Sequence, residues 1–81
     1  MKNKRSVEIL LNTMDKVNKC NKNVMMYSDR CLDIVSGRYK VDAKSLMGLF
    51  SLDLSVPVTL EYNSDFEDDV IKLFGEFIVK V

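Results

Sequence analysis

The sequence predicts an α+β fold: a two-layer sandwich with helices on one face of a four-stranded antiparallel sheet. Three observations predict it. Residues 6–11, 30–35, 38–43 and 56–62 alternate apolar with polar, the period of a half-buried strand. Residues 14–26, 45–52 and the stretch from Ser64 to the end place apolar side chains at helical spacing. Ser36-Gly37 joins two alternating runs, so those runs form a hairpin, and a hairpin makes its strands antiparallel. The order is β-α-β-β-α-β-α, with no linker, repeat or low-complexity tract, so residues 1–81 are read as one domain.

In the first strand Val7, Ile9 and Leu11 share one face. Asn12 and Thr13 are good N-caps, and a helix from Met14 to Met26 follows. It turns Met14, Val17, Cys20, Val24 and Met25 inward and Lys16, Lys19 and Lys22 outward, onto a solvated face. Asn18, Asn21 and Asn23 weaken its intrinsic propensity, so tertiary packing must hold it. In the hairpin Leu32, Ile34, Tyr39, Val41 and Ala43 face the core. Val56, Val58, Leu60 and Tyr62 do so in the fourth strand. The last helix opens on Ser64-x-x-Glu67, a capping box, with Asp65, Glu67, Asp68 and Asp69 crowding the positive end of its dipole. Phe66, Val70, Leu73, Phe74, Phe77, Ile78 and Val81 then form one apolar stripe, with Lys72 and Lys80 on the wet side.

Composition narrows the function classes. The chain has 12 basic and 12 acidic side chains, a balance that argues against direct nucleic-acid binding. It has no histidine, which removes Ser-His and Cys-His nucleophile pairs and the commonest metal ligand. Gly37, Gly48 and Gly75 are scattered and make no phosphate-binding loop. Cys20 and Cys31 fit neither a CxxC pair nor a zinc site and are read as small buried or half-buried thiols. They would pair only if the fold brings them together. No enzyme activity, cofactor or metal is expected. The basic-then-apolar start "MKNKRSVEILL" is interrupted by Glu8 and ends at Asn12, unlike a signal peptide. No apolar run is long enough for a membrane span, so the expected location is cytoplasmic.

One stretch carries a family likeness. "VDAKSLMGLFSLDL" at 41–54, followed by a strand and a capped amphipathic helix, resembles the HPr family. HPr is the small phosphocarrier of the bacterial phosphoenolpyruvate-dependent sugar phosphotransferase system. The pattern K-S-[LI]-M-G-[LVI]-x-S-L marks the regulatory serine region of that family, and the element order agrees along nearly the whole chain. The N-terminal half matches weakly. The resemblance implies an HPr-like two-layer sandwich.

It also implies two sites, and the chain keeps one of them. The family's phosphorylatable histidine, followed closely by an arginine, falls in "LNTMDKV" at 11–17. Thr13 or Met14 occupies the histidine position and Asp15 the arginine position. Neither Thr nor Met forms a phosphoimidazole, and Asp15 repels a phosphoryl group where the arginine would pair with it. Thr13 reads as a helix cap rather than a substitute acceptor. Ser45, by contrast, aligns with the serine that HPr kinase phosphorylates, with Lys44 before it and Leu46-Met47-Gly48 after it. It reads as an N-cap as well, and the two roles are compatible.

A helix as short as 45–52 cannot turn Leu46, Met47, Leu49, Phe50 and Leu52 all inward, so Met47 and Phe50 are expected at the surface. The family docks partners with this helix and the first one. By position, the docking residues are Met14, Asn18, Lys22, Lys44, Leu46, Met47 and Phe50, unless the apolar ones are ordinary core.

The expected function is therefore an HPr-like regulatory or protein-binding module without carrier chemistry. Its precedent is the histidine-less, catabolite-repression branch of the family, whose serine-phosphorylated form is corepressor for a LacI-type regulator. Expected partners are an HPr kinase-like enzyme, a transcriptional regulator or sugar phosphotransferase components, with the chain itself a monomer. Two alternatives stand beside it: a phosphocarrier with a non-histidine acceptor, and a purely structural interaction domain.

Overall fold

The computed structural model describes residues 3–27 and 31–80. Its elements are β1 (Lys4–Ile9), α1 (Met14–Met25), β2 (Asp33–Ser36), β3 (Tyr39–Asp42), α2 (Leu46–Phe50), β4 (Val58–Asn63), α3 (Glu67–Phe74) and β5 (Ile78–Lys80). The fold is α+β, but the sheet has five strands where four were expected. Its order is β3-β2-β4-β1-β5, and all neighbours are antiparallel.

Register explains the two layers. Val7 lies opposite Leu60, Ile9 opposite Val58, and Ile34 opposite Leu60. These residues are buried, while Glu8, Thr59, Glu61, Asp33 and Val35 between them are only partly covered. Alternation thus assigns one face to the core and one to water, because successive strand side chains point to opposite sides. On the wet face Lys40 reaches Glu61 at 3.1 Å and Asp33 at 3.9 Å. The hydrogen-bonded Glu61 carboxylate pushes the Lys40 pKa up.

Val17, Cys20 and Val24 of α1 and Val70 and Phe74 of α3 join the sheet residues in one apolar cluster. α1 lies between the other two helices, and its asparagines hold it there. Asn23 Nδ2 donates to the Leu73 carbonyl at the end of α3, 3.0 Å away. Asn21 Nδ2 donates to the Lys44 carbonyl just before α2, 3.1 Å away. On the α3 flank Lys19 pairs with Glu76 at 3.1 Å, and Tyr27 meets Phe66 edge-on with ring centroids 5.3 Å apart. These contacts run in opposite senses along the two helices, so α1 and α3 pack antiparallel.

Several expectations need correction. The last helix ends at Phe74. A Cβ at Gly75 would sit 2.6 Å from the Ile71 carbonyl oxygen, so the backbone approaches there too closely for a side chain. The chain then turns: the Phe77 N–H donates to the Phe74 carbonyl, and the Leu10 N–H to the Phe77 carbonyl. Phe77 stays buried, but Ile78 belongs to β5 and pairs with Ile9 across a register shift. β-branched Ile78 and Val79 suit that strand. Val81 lies outside the described residues, as does Arg30 at the head of the hairpin.

Nor does the capping box form. Ser64 opens a 3-10 turn over Ser64–Phe66, and neither Asn63 nor Phe66 caps with its side chain. Glu67 instead accepts from the Tyr62 hydroxyl at 3.5 Å and faces Arg5 at 3.6 Å. Tyr39 is 71% exposed because it sits at the edge of the sheet beside the turn. Val56 precedes β4 and is exposed too. Met14 and Met25, at the margins of the inward stripe, lie in solvent, and the helix closes at Met25 rather than Met26. The Ser36-Gly37 turn forms as expected, with Gly37 at φ 59°.

Both cysteines are free, Cys20 buried and Cys31 exposed rather than half-buried. Burial pushes the Cys20 thiol up from its ordinary 9.0 to about 12. A disulfide-exchange reagent at pH 8 should therefore label one thiol quickly in the native protein and two in denaturant. Rapid labelling of both under native conditions would contradict the packing of α1. By urea unfolding, Asn23→Ala should be less stable than Asn18→Ala by about 1 kcal/mol. Both variants gain the same helix propensity, but only Asn23 gives up a hydrogen bond. Equal stabilities would show that the tether contributes nothing.

Candidate functional site

Two short segments meet beside the sheet: the start of α1 and the whole of α2. Thr13 caps the first, its Oγ1 accepting the Lys16 N–H at 3.2 Å. Asn12 Oδ1 accepts from the Lys16 ammonium at 3.2 Å, so Lys16 is drawn back along the helix rather than left on a free lysine face. Lys19 is occupied by Glu76, while Lys22 is exposed.

Ser45 caps the second segment. Its Oγ accepts the Gly48 N–H at 3.1 Å, and its own N–H donates to the Asp42 carbonyl at 2.9 Å. The hydroxyl is thus both exposed and engaged. Lys44 precedes it with a half-buried side chain. Its ammonium lies 3.9 Å from Asp42 Oδ2, and its N–H donates to Asp42 Oδ1 at 2.9 Å. α2 has only five residues, so its dipole is slight, and a negative charge at Ser45 would depend on nearby N–H groups and Lys44.

The five apolar residues of the 46–52 stretch divide as its length requires. Leu49 and Leu52 are buried and Leu46 packs partly on the core. Met47 is 87% exposed and Phe50 47%. On α1, Met14 is 65% exposed, with Asn18 and Lys22 exposed one and two turns further on. Because Asn21 on the same flank bonds to Lys44, α1 lies alongside α2 with its start near the end of α2.

Met14 and Phe50 meet at a shallow apolar depression of about 270 Å³, lined also by Leu11, Asn12, Thr13, Val17, Leu54 and Ser55. The structure therefore brings Thr13, Met14 and Phe50 to one place. Ser45 and Lys44 lie at the other end of α2, and Asn18 and Lys22 are outside the depression. Sequence reasoning missed Leu54 and Ser55. Their signal was Asp53-x-Ser55, an Asx turn in which Asp53 Oδ1 accepts from the Ser55 N–H at 3.2 Å and from its hydroxyl at 2.5 Å. Those two donors hold the Asp53 carboxyl below the usual carboxylate range.

The lining of the depression is mostly apolar, and the hydroxyls at Thr13 and Ser45 serve as helix caps. Asp15, at the first turn of α1, is exposed. Among the described residues no cluster of three or more His, Cys, Asp or Glu side chains could hold a metal, and no helix is long and apolar enough to cross a membrane.

If the two hydroxyls carry the helix starts, Thr13→Ala and Ser45→Ala should each lower stability by about 1 kcal/mol. Ser in place of Thr13 should recover most of the loss. An unchanged urea midpoint in the alanine variants would show that the caps are dispensable. Comparison of the chain with family models and with curated proteins found no match to either.

Proposed function

We propose that the chain is an HPr-like regulatory module that binds a partner protein through the α1–α2 face and has no phosphate-relay chemistry. The observation that carries this reading is the exposed apolar group Met14, Met47 and Phe50 on two adjoining helices, beside an exposed serine. Soft, flexible methionines and one aromatic ring make an adaptable protein-binding surface. The pattern Lys44-Ser45-Leu46-Met47-Gly48 supports the family assignment, as does the order β-α-β-β-α-β-α, which runs through α3 before β5 departs from it. The cytoplasmic location belongs to the same proposal.

Ser45 is the phosphoacceptor in this reading, and an HPr kinase-like enzyme is its donor. Phosphorylation adds roughly two negative charges at the α2 cap, next to the apolar face. The protein should stay folded, because the serine points to solvent. Its partner would be a transcriptional regulator or a sugar phosphotransferase component that senses this charge. Thr13 is no substitute for the relay histidine: a hydroxyl forms no phosphoimidazole, and Asp15, two residues on, stands where the family's arginine would pair with the phosphoryl group.

Two parallel incubations test the proposal. With an HPr kinase and ATP, intact mass should rise by one phosphate, and peptide mapping should place it on Ser45. Ser45→Ala should stay unlabelled. With phosphoenolpyruvate and the first enzyme of the sugar phosphotransferase system, no label should appear. No kinase-dependent label would defeat the phosphoserine assignment, and a phosphoenolpyruvate-dependent label lost in Thr13→Ala would restore a carrier role.

A further inference from the structure

Of the sulfur atoms in the described residues, the fold buries Cys20 and exposes the Cys31 thiol and four thioethers. Cys20 is buried at the centre of the core, with its thiol pushed up to about 12, so it is closed to oxidants. Met14, Met25, Met26 and Met47 are all exposed, and none belongs to the apolar cluster. Core methionines would unfold the protein on oxidation; these would not. Met14 lines the depression with Phe50, and Met47 stands exposed three residues before Phe50 on α2.

We propose that Met47 and Met14 are oxidation sites at which a small hydroperoxide converts the α1–α2 face from apolar to polar while leaving the fold intact. The thioether sulfur donates an electron pair to the terminal peroxide oxygen. The O–O bond breaks, an S–O bond forms, and the peroxide leaves as water or an alcohol after taking up a proton. Sulfur is oxidised to the sulfoxide, and the peroxide is reduced. The sulfoxide oxygen accepts hydrogen bonds and is hydrated, so a surface suited to an apolar contact becomes one suited to water. The step is reversible by a sulfoxide reductase. It is independent of Ser45 and requires neither the kinase nor the partner proposed above.

Phe50 and Leu54 set the extent of the change. They cannot be oxidised in this way, so the depression keeps part of its apolar lining. Loss of the two thioethers removes the rim at Met14 and, at Met47, the most exposed large apolar side chain among the described residues.

The experiment uses the full chain and hydrogen peroxide. Limited treatment, after alkylation of the exposed Cys31 thiol, should add one oxygen mass per methionine, with Met47 modified first and Cys20 unmodified. The melting midpoint should shift by less than ~4 °C, as for surface changes in a domain this size. The oxidised native protein should elute earlier from a phenyl hydrophobic-interaction column. The variant carrying Met14→Leu and Met47→Leu should be retained like the untreated protein and should shift much less when treated, because Met25 and Met26 remain exposed in it. Three results would overturn the proposal: a large fall in melting midpoint, no change in retention, or an equal shift in the double variant. The last would assign the polarity change to Met25 and Met26. Retention is read without any partner, so failure of the docking proposal would leave this result standing.

Discussion

Everything on the helical side depends on how α1 is held. Its middle is rich in asparagine, which favours turns and caps over helix interiors. The structure spends that chemistry outward. Asn21 and Asn23 project to opposite flanks and satisfy backbone carbonyls at the entrance to α2 and the exit of α3. A helix C-terminus leaves its last carbonyls unpartnered, and Leu73 is one of them. Two side chains that weaken α1 by themselves therefore fix its neighbours. Leucines at those positions would make a better isolated helix and a less defined three-helix layer.

This arrangement positions the candidate face. With Lys44 tied to Asn21, α2 has a fixed start, and its five residues present Met47 and Phe50 on the side away from the sheet. Leu49 and Leu52 anchor the other side. The face is thus a by-product of length: one and a half turns of helix can bury only part of an apolar run. Ser45 sits where the tie and the helix meet, so its hydroxyl feels the backbone of α2 and the chemistry of Asp42 and Lys44 together.

Much of this was legible in the sequence because the physical signals were local and single-valued. Alternation around Val7, Ile34 and Leu60 has one reading, and Asn12-Thr13 before a helical period marks a helix start. The errors lie where one pattern satisfied two periods or one side chain had two uses. Phe74, Phe77 and Ile78 fit a helical stripe, yet the helix ends at Phe74, where the backbone at Gly75 closes on Ile71, and β1 offers an open edge for Ile78. Ser64 and Glu67 match a capping box, but Arg5 on β1 and Tyr62 on β4 compete for Glu67. Of the face, Met47 and Phe50 followed from helix length. Leu54 and Ser55 did not, because their place depends on a turn around Asp53.

The wet face of the sheet has its own consequence. β3 is an edge strand, and an edge presents unpaired backbone groups to any chain that comes near. Lys40, midway along it, is held by Glu61 and Asp33 from the two strands behind. A strand adding itself to β3 would have to lie against that fixed charge, with Asp42 two residues further on. The small ionic cluster thus acts as a guard against fibril-like stacking, and it does so on the side of the sheet that takes no part in the candidate face.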